Sequence, residues 1–178
     1  EIVMGETTAR EMIYDICGGI RDGMKMKACI PGGSSVPVLT AAEIDGMTMD
    51  YEGIQAAGSL LGSGGMIVYA ECQDMVESLS VLLEFYADES CGQCTPCREG
   101  SGWTNRIVHK ILDGRGTHED LKTLEDLAFN ATGRTICALA DAWAMPIQSH
   151  LSRFRSEFVD YIEGRKVRHG DLIAAAHH

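Results

Sequence analysis

Three cysteines at two-residue intervals, Cys91, Cys94 and Cys97 in the stretch DESCGQCTPCREG, constrain this chain more than any other feature in it. The remaining thiols are Cys17, Cys29, Cys72 and Cys137, seven cysteines in 178 residues. An odd count in a chain that opens on no export segment argues against a disulfide framework and for ligation in a reducing compartment. Cys-x2-Cys-x2-Cys wraps one tight loop around three corners of a cube. A [4Fe–4S] cubane takes four thiolates, and bacterial ferredoxins supply the fourth three residues further on, before a proline. Here that place is Ser101, so the fourth ligand must be remote.

Cys137 is the candidate. It sits in GRTICALADA, after a Thr132–Gly133 turn and at the start of a helical stretch. There the helix dipole and free N–H groups favour a thiolate and an anionic cluster. Two antiparallel helices fit between Cys97 and Cys137, so the chain goes out and returns. Cys17, Cys29 and Cys72 stand among apolar residues and read as buried, inert thiols. Structural zinc sites usually pair two Cys-x2-Cys knuckles or mix Cys with His, so iron–sulfur fits the triple run better than zinc. Around the ligands, Gly92 permits a positive φ, Pro96 stiffens the loop, and Arg98 is either a cation beside the cluster or an ion-pair partner of a carboxylate such as Glu99.

The chain carries a formal net charge of −11, and both halves are acidic. Nucleic-acid binding, which needs Lys/Arg against phosphate, is therefore not expected. The basic patch Arg165, Lys166, Arg168 reads as a solvated end. ICALADAWAMPI is the longest nearly apolar run, too short for a membrane span. With Glu1 in place of an initiator Met, the chain is expected to be a piece of something longer. PGGSS and GSGG complete neither a Walker A nor a dinucleotide fingerprint and read as turns. With no base–nucleophile pair and no open-coordination site, no catalytic residue is assigned, and an electron carrier is the default role.

Two textures divide the chain. Residues 1–72 mix short elements. A helix opens at the Thr8/Glu11 capping box with Met12, Ile13 and Ile16 on one face, and Gly18–Gly19 stop it. MKMKACI alternates as a strand, a second capping box (Thr40/Glu43) begins a short helix, and Met66–Ala70 is a strand. Residues 73–163 read as helices: one capped by Asp74, one with Trp103, Ile107 and Ile111 at helical spacing, and one opened by Thr117 with Leu121, Leu124 and Ala128 on one face. The last runs from about Ile136 to Ile162, kinked or divided at Pro146. Beyond Pro146, Ile147, Leu151, Phe154, Phe158 and Ile162 form a core stripe. The fold class is α+β: a small β-grasp-like module, then an all-α four-helix bundle, with residues 164–178 a tail.

ESCGQCTPCREG resembles the iron–sulfur motif of the NADH-binding flavoprotein subunit of respiratory complex I, the 51 kDa or F subunit, and GRTICALADAWAMP resembles that family's fourth-ligand segment. IPGGSSVPVL, MDYEGI and GSLLGSGGMIVY look like its ligand-binding β-grasp (SLBB) domain. The resemblance covers about residues 1–163 and implies the C-terminal part of that subunit. It implies one [4Fe–4S] cluster that takes single electrons from FMN, reduced by NADH in a preceding domain, toward quinone. No positions here correspond to the family's FMN and NAD residues. The implied partners are other peripheral-arm subunits, including the small [2Fe–2S] thioredoxin-like subunit and the large iron–sulfur subunit, without nucleic acid or direct membrane contact. The implied location is the cytoplasmic face of the membrane in a prokaryote or the matrix side in a mitochondrion. Two alternatives stand: the diaphorase subunit of a soluble NAD-linked hydrogenase or formate dehydrogenase, and a β-grasp ligand module stabilised by zinc.

Overall fold

The structure, a computed structural model, describes residues 2–168. It divides into two compact units, one ending at Gln73 and one beginning at Asp74. The part of the expected tail beyond residue 168 lies outside the described residues.

In the first unit α1 (Ala9–Glu11) opens at the Thr8/Glu11 capping box and widens at once into a π-helical turn, Met12–Ile16. The extra residue per turn takes the expected apolar face apart. Ile13 is buried, whereas Ile16 is 58% exposed. A three-stranded antiparallel sheet follows, with β1 (Met26–Ile30) between β2 (Leu39–Thr40) and β3 (Ile67–Ala70). Cys29 pairs with Leu39 on one side and Val68 on the other, and the register slips between Met26 and Ala28. As the central strand, β1 is more fully buried than its alternating sequence suggests.

The Thr40/Glu43 capping box forms, but no helix propagates from it. The chain turns through 41–46 and reverses at Gly46, φ +79°. The short helix lies later, as α2 (Tyr51–Ala56), where the Asp50 carboxylate accepts from Gly53 N–H. The PGG turn packs backbone against backbone: Ser63 N–H donates to Gly32 O at 3.0 Å, and a Cβ on Gly32 would lie 2.1 Å from Leu60 O.

The second unit consists of α3 (Met75–Asp88), α4 (Thr95–Leu112), α5 (His118–Ala131) and α6 (Leu139–Ile162). Short connections fold consecutive helices back antiparallel, so α4 and α6 start at the same end. All four helices contribute to one core, which includes Leu79, Leu83, Val108, Leu124, Trp143 and Phe158. Asp74 caps α3 through Val76 and Glu77 N–H, accepts from Tyr161 Oη at 2.9 Å, and pairs with Lys166. Burial opposes charge on Asp74, but the hydrogen bonds from Lys166, Glu77 N–H and Tyr161 outweigh it and hold the carboxyl below its usual range. Lys166 therefore belongs to a network with Asp74 and Glu157 and is no solvated end, and Arg165 pairs with Asp160.

Two helical expectations need correction. On α4 the buried face is Cys97, Ser101, Thr104, Val108 and Ile111, while Trp103 is half exposed. Ile111 of the expected set is buried and Ile107 packs against the core, so only Trp103 falls outside it. The chain also runs helically through Pro146, and the irregular backbone comes at Phe154 (φ −124°, ψ 24°). Pro146 O accepts from Ser149 Oγ at 3.1 Å and lies 2.8 Å from His150 Nδ1.

Candidate iron–sulfur site

The triple run does not form one loop. Cys91 lies in the α3–α4 connection, Cys94 is the residue that caps α4, and Cys97 lies inside its first helical turn. Pro96 is in that same turn, where its fixed φ suits the helix start and its missing N–H costs nothing, so it stiffens the helix more than the loop. Gly92 turns the preceding connection with φ +78°. Arg98 braces this turn by donating Nη1 to Gly92 O at 2.8 Å and pairing Nε with Glu99 at 2.9 Å. The ion-pair reading of Arg98 therefore has contacts behind it.

Cys137 comes two residues before α6 and one before its capping residue, Ala138. The segment holding it returns to the triple run. Ile136 N–H reaches Cys94 Sγ at 3.5 Å, across 42 residues of sequence. Two further contacts shape the return: Thr135 Oγ1 donates to Cys137 O at 2.8 Å, and Asp141 Oδ1 accepts from Gly133 N–H at 2.9 Å. Ser90 Oγ lies 3.4 Å from Cys97 Sγ. Sequence reasoning passed over Ser90, Thr135 and Asp141. Their signal was adjacency to a thiol for the first two and a first-turn carboxylate for the third.

The helix ends distinguish this end of the unit. At the far end, α3 and α5 are closed by the side chains of Asp74 and Thr117. At the thiol end neither α4 nor α6 has a side-chain cap. Helix N-termini leave N–H groups unpaired and carry partial positive charge, an environment suited to thiolates and an anionic cluster. Cys91 and Cys137 are exposed, Cys94 is intermediate and Cys97 is buried, and all four are free thiols. The donor set thus fits a cluster held at the surface. No trio of His, Cys, Asp or Glu among the described residues is gathered around a single point. A cubane binds each thiolate to a different iron.

The other three cysteines divide. Cys29 is buried in β1, where desolvation pushes its thiol up to about 12. Cys17 and Cys72 are exposed, contrary to expectation. Cys17 ends the π-helical turn, and Cys72 follows β3 in a turn; apolar neighbours in sequence do not bury a residue where the chain reverses. In the first unit an open cleft of about 380 Å³ is lined by Met4, Met12, Ile16, Cys17, Met49 and Leu61, among others. Among the described residues no helix is long and apolar enough to cross a membrane.

Residues 77–161 match the NADH-ubiquinone oxidoreductase-F iron-sulfur binding region, and the cofactor of this region is a [4Fe–4S] cluster. The F subunit of the NADH-quinone oxidoreductase of Mycobacterium tuberculosis (strain ATCC 25618 / H37Rv) is 43% identical over 157 residues, covering 88% of this chain and 35% of that protein. The second of two such F subunits in Rhizobium meliloti (strain 1021) is 43% identical over 166 residues, covering 93% and 39%. The chain thus spans little more than a third of the length of these relatives. In fold it is similar to an NAD+-reducing [NiFe]-hydrogenase in the H2-reduced state, with a TM-score of 0.73 and 24% identity over 84% of this chain and 25% of that one. The chain belongs to the family of F subunits of NADH-quinone oxidoreductases and corresponds to their C-terminal, iron–sulfur-binding part.

Proposed function

We propose that this chain is a one-electron relay of an NADH:quinone oxidoreductase, with Cys91, Cys94, Cys97 and Cys137 as the four thiolate ligands of its cluster. The observation that carries the ligand set is the hydrogen bond from Ile136 N–H to Cys94 Sγ, which puts the Cys137 segment against the triple run. When bound, the cluster supplies reversible one-electron chemistry without a bound substrate. The protein's part is to hold four thiolates, to aim two uncapped helix N-termini at the site, and to brace the entering turn through Gly92 and Arg98. Exposure of Cys91 and Cys137 leaves one side of the site open to a neighbouring redox centre.

On this reading FMN and NAD bind elsewhere in the intact subunit, and electrons leaving FMN pass this site toward quinone. The neighbours are the other peripheral-arm subunits, including the small [2Fe–2S] thioredoxin-like subunit and the large iron–sulfur subunit, on the cytoplasmic or matrix side of the membrane. The first unit is then an SLBB-type β-grasp domain and the second a four-helix bundle. Reconstituted without oxygen, the chain should bind about four irons. Serine at Cys91, Cys94, Cys97 or Cys137 should lower or abolish that loading, and alanine at Cys17, Cys29 or Cys72 should leave it intact. Full iron in Cys137→Ser would sink the fourth ligand.

A further inference from the structure

Trp143 lies six residues beyond Cys137 on α6. It is wholly buried, and its indole Nε1 has no hydrogen-bond partner. A buried N–H left unpaired is costly, so an acceptor is to be sought for it. The ring's position narrows the search. A Cβ on Gly100 would lie 3.0 Å from Cζ2 and 3.2 Å from Cη2 of this indole. The Cζ2–Cη2 edge thus faces α4 at Gly100, three residues beyond Cys97, and Nε1 stands two bonds from Cζ2, to one side of that contact. Cys97 is itself buried, in the same core as Trp143. Since α4 and α6 start at one end, and side chains of a helix lean toward its N-terminus, the ring is carried toward the thiols. Glycine at position 100 is what lets the indole come so close.

We propose that Trp143 Nε1–H donates a hydrogen bond to a sulfur of the bound cluster from its buried side and thereby raises its reduction potential. The inference rests on the ligand set proposed above. On reduction the cluster gains one electron and no proton, and the indole keeps its own proton. The added negative charge strengthens the N–H···S bond, so the bond favours the reduced form. Ser101 Oγ and Asn105 Oδ1 are the competing acceptors, because both lie buried without a partner on α4. An indole spent on either would leave the potential unmoved.

The chain has two tryptophans, and Trp103 is half exposed, so Trp103→Phe leaves one indole. The full chain, reconstituted, labelled with 15N-tryptophan and reduced with dithionite, is read by pulsed EPR and by redox titration. A 15N coupling to the reduced cluster is expected in wild type and in Trp103→Phe, and none in Trp143→Phe. The equilibrium constant for reduction should fall about three- to tenfold in Trp143→Phe, up to ~59 mV for a one-electron couple. Iron content separates the two readings: wild type short of about four irons would strike at the ligand set itself. With full iron, an unchanged potential in Trp143→Phe or a missing coupling in Trp103→Phe overturns the proposal. Should Trp143→Phe fail to load, the labelled Trp103→Phe protein decides alone.

Discussion

The two units close their secondary structure by different means. In the first, reversals rest on backbone: positive-φ glycines run from Gly5 to Gly64, and the PGG turn sits against the Leu60–Leu61 peptide without room for a methyl. In the second, among the described residues, glycines of this kind stand only at the corners (Gly92, Gly114, Gly133 and Gly164), and side chains do the closing. There the closing is one-sided. Asp74 and Thr117 finish α3 and α5, while α4 and α6 begin without a cap where the four thiols are. The difference teaches that a binding end can be recognised by what the fold leaves unfinished, since unpaired helix N–H groups are stable only where something else answers them.

The largest test of this contrast is a pair of methyl groups. Gly32→Ala drives Cβ into Leu60 O and Leu61 C, backbone atoms that cannot rotate away, and should cost more than ~4 kcal/mol. In α4, Gly102→Ala meets only the flexible end of Arg106 at 3.3 Å and should be neutral or stabilising by up to ~1 kcal/mol. Urea unfolding followed by hydrogen exchange reads both. Equal costs would dissolve the distinction.

A smaller effect separates the units by pH. His150 is wholly buried on α6, and desolvation lowers its pKa to about 4 against the opposing pull of Pro146 O and Glu157. The unfolded side chain titrates near ~6.5, so its share of stability is complete above that pH and is lost as pH falls toward 4, in all about 3 kcal/mol. Cys29 in the first unit works in the opposite direction. Its thiol, raised to about 12, is neutral in the fold while the unfolded chain ionises above ~8.5, so stability is lost as pH rises past that value, by about 2 kcal/mol at pH ~10. Denaturation across pH should therefore show a slope between pH ~6.5 and ~4 that is lost in His150→Leu, and one between pH ~8.5 and ~10 that is lost in Cys29→Ala. Either slope surviving its substitution counts against the assignment. The smallest effect is at Arg98. Its contacts to Gly92 O and Glu99 are half exposed, and Arg98→Ala should destabilise the apo chain by only about 0.5–1 kcal/mol, with Arg98→Lys milder.

Much of the second unit was legible because its signals are local. Asp74 and Thr117 mark helix starts through groups within three residues, and both close their helices as read; the Asp120 half of the Thr117 box is seen in the structure. The cysteine spacing was legible for the same reason. Thr40/Glu43 shows where locality fails, since the capping box forms there without a helix. A cap satisfies N–H groups but cannot outweigh a chain that must turn at Gly46 to reach Asp50. On α4 only Trp103 of the spaced apolar residues stays out of the core, while Ser101 and Thr104 take buried places that their residue type does not announce. Trp143 escaped notice because nothing in its neighbourhood says that Gly100, 43 positions earlier, leaves it a place.

By itself the sequence determined the thiols on offer, the helix starts opposite them, and the acidic character of the chain, all properties carried by residue type at short range. Tertiary structure decided what depends on distant segments meeting. It brought Ile136 onto Cys94, sent Cys17 and Cys72 to the surface while burying Cys29, and enclosed the Trp143 indole against Gly100. The physical reason is that burial and contact belong to pairs of surfaces. A residue's own chemistry states what it can bind, and only the packing of elements far apart in the chain states what it meets.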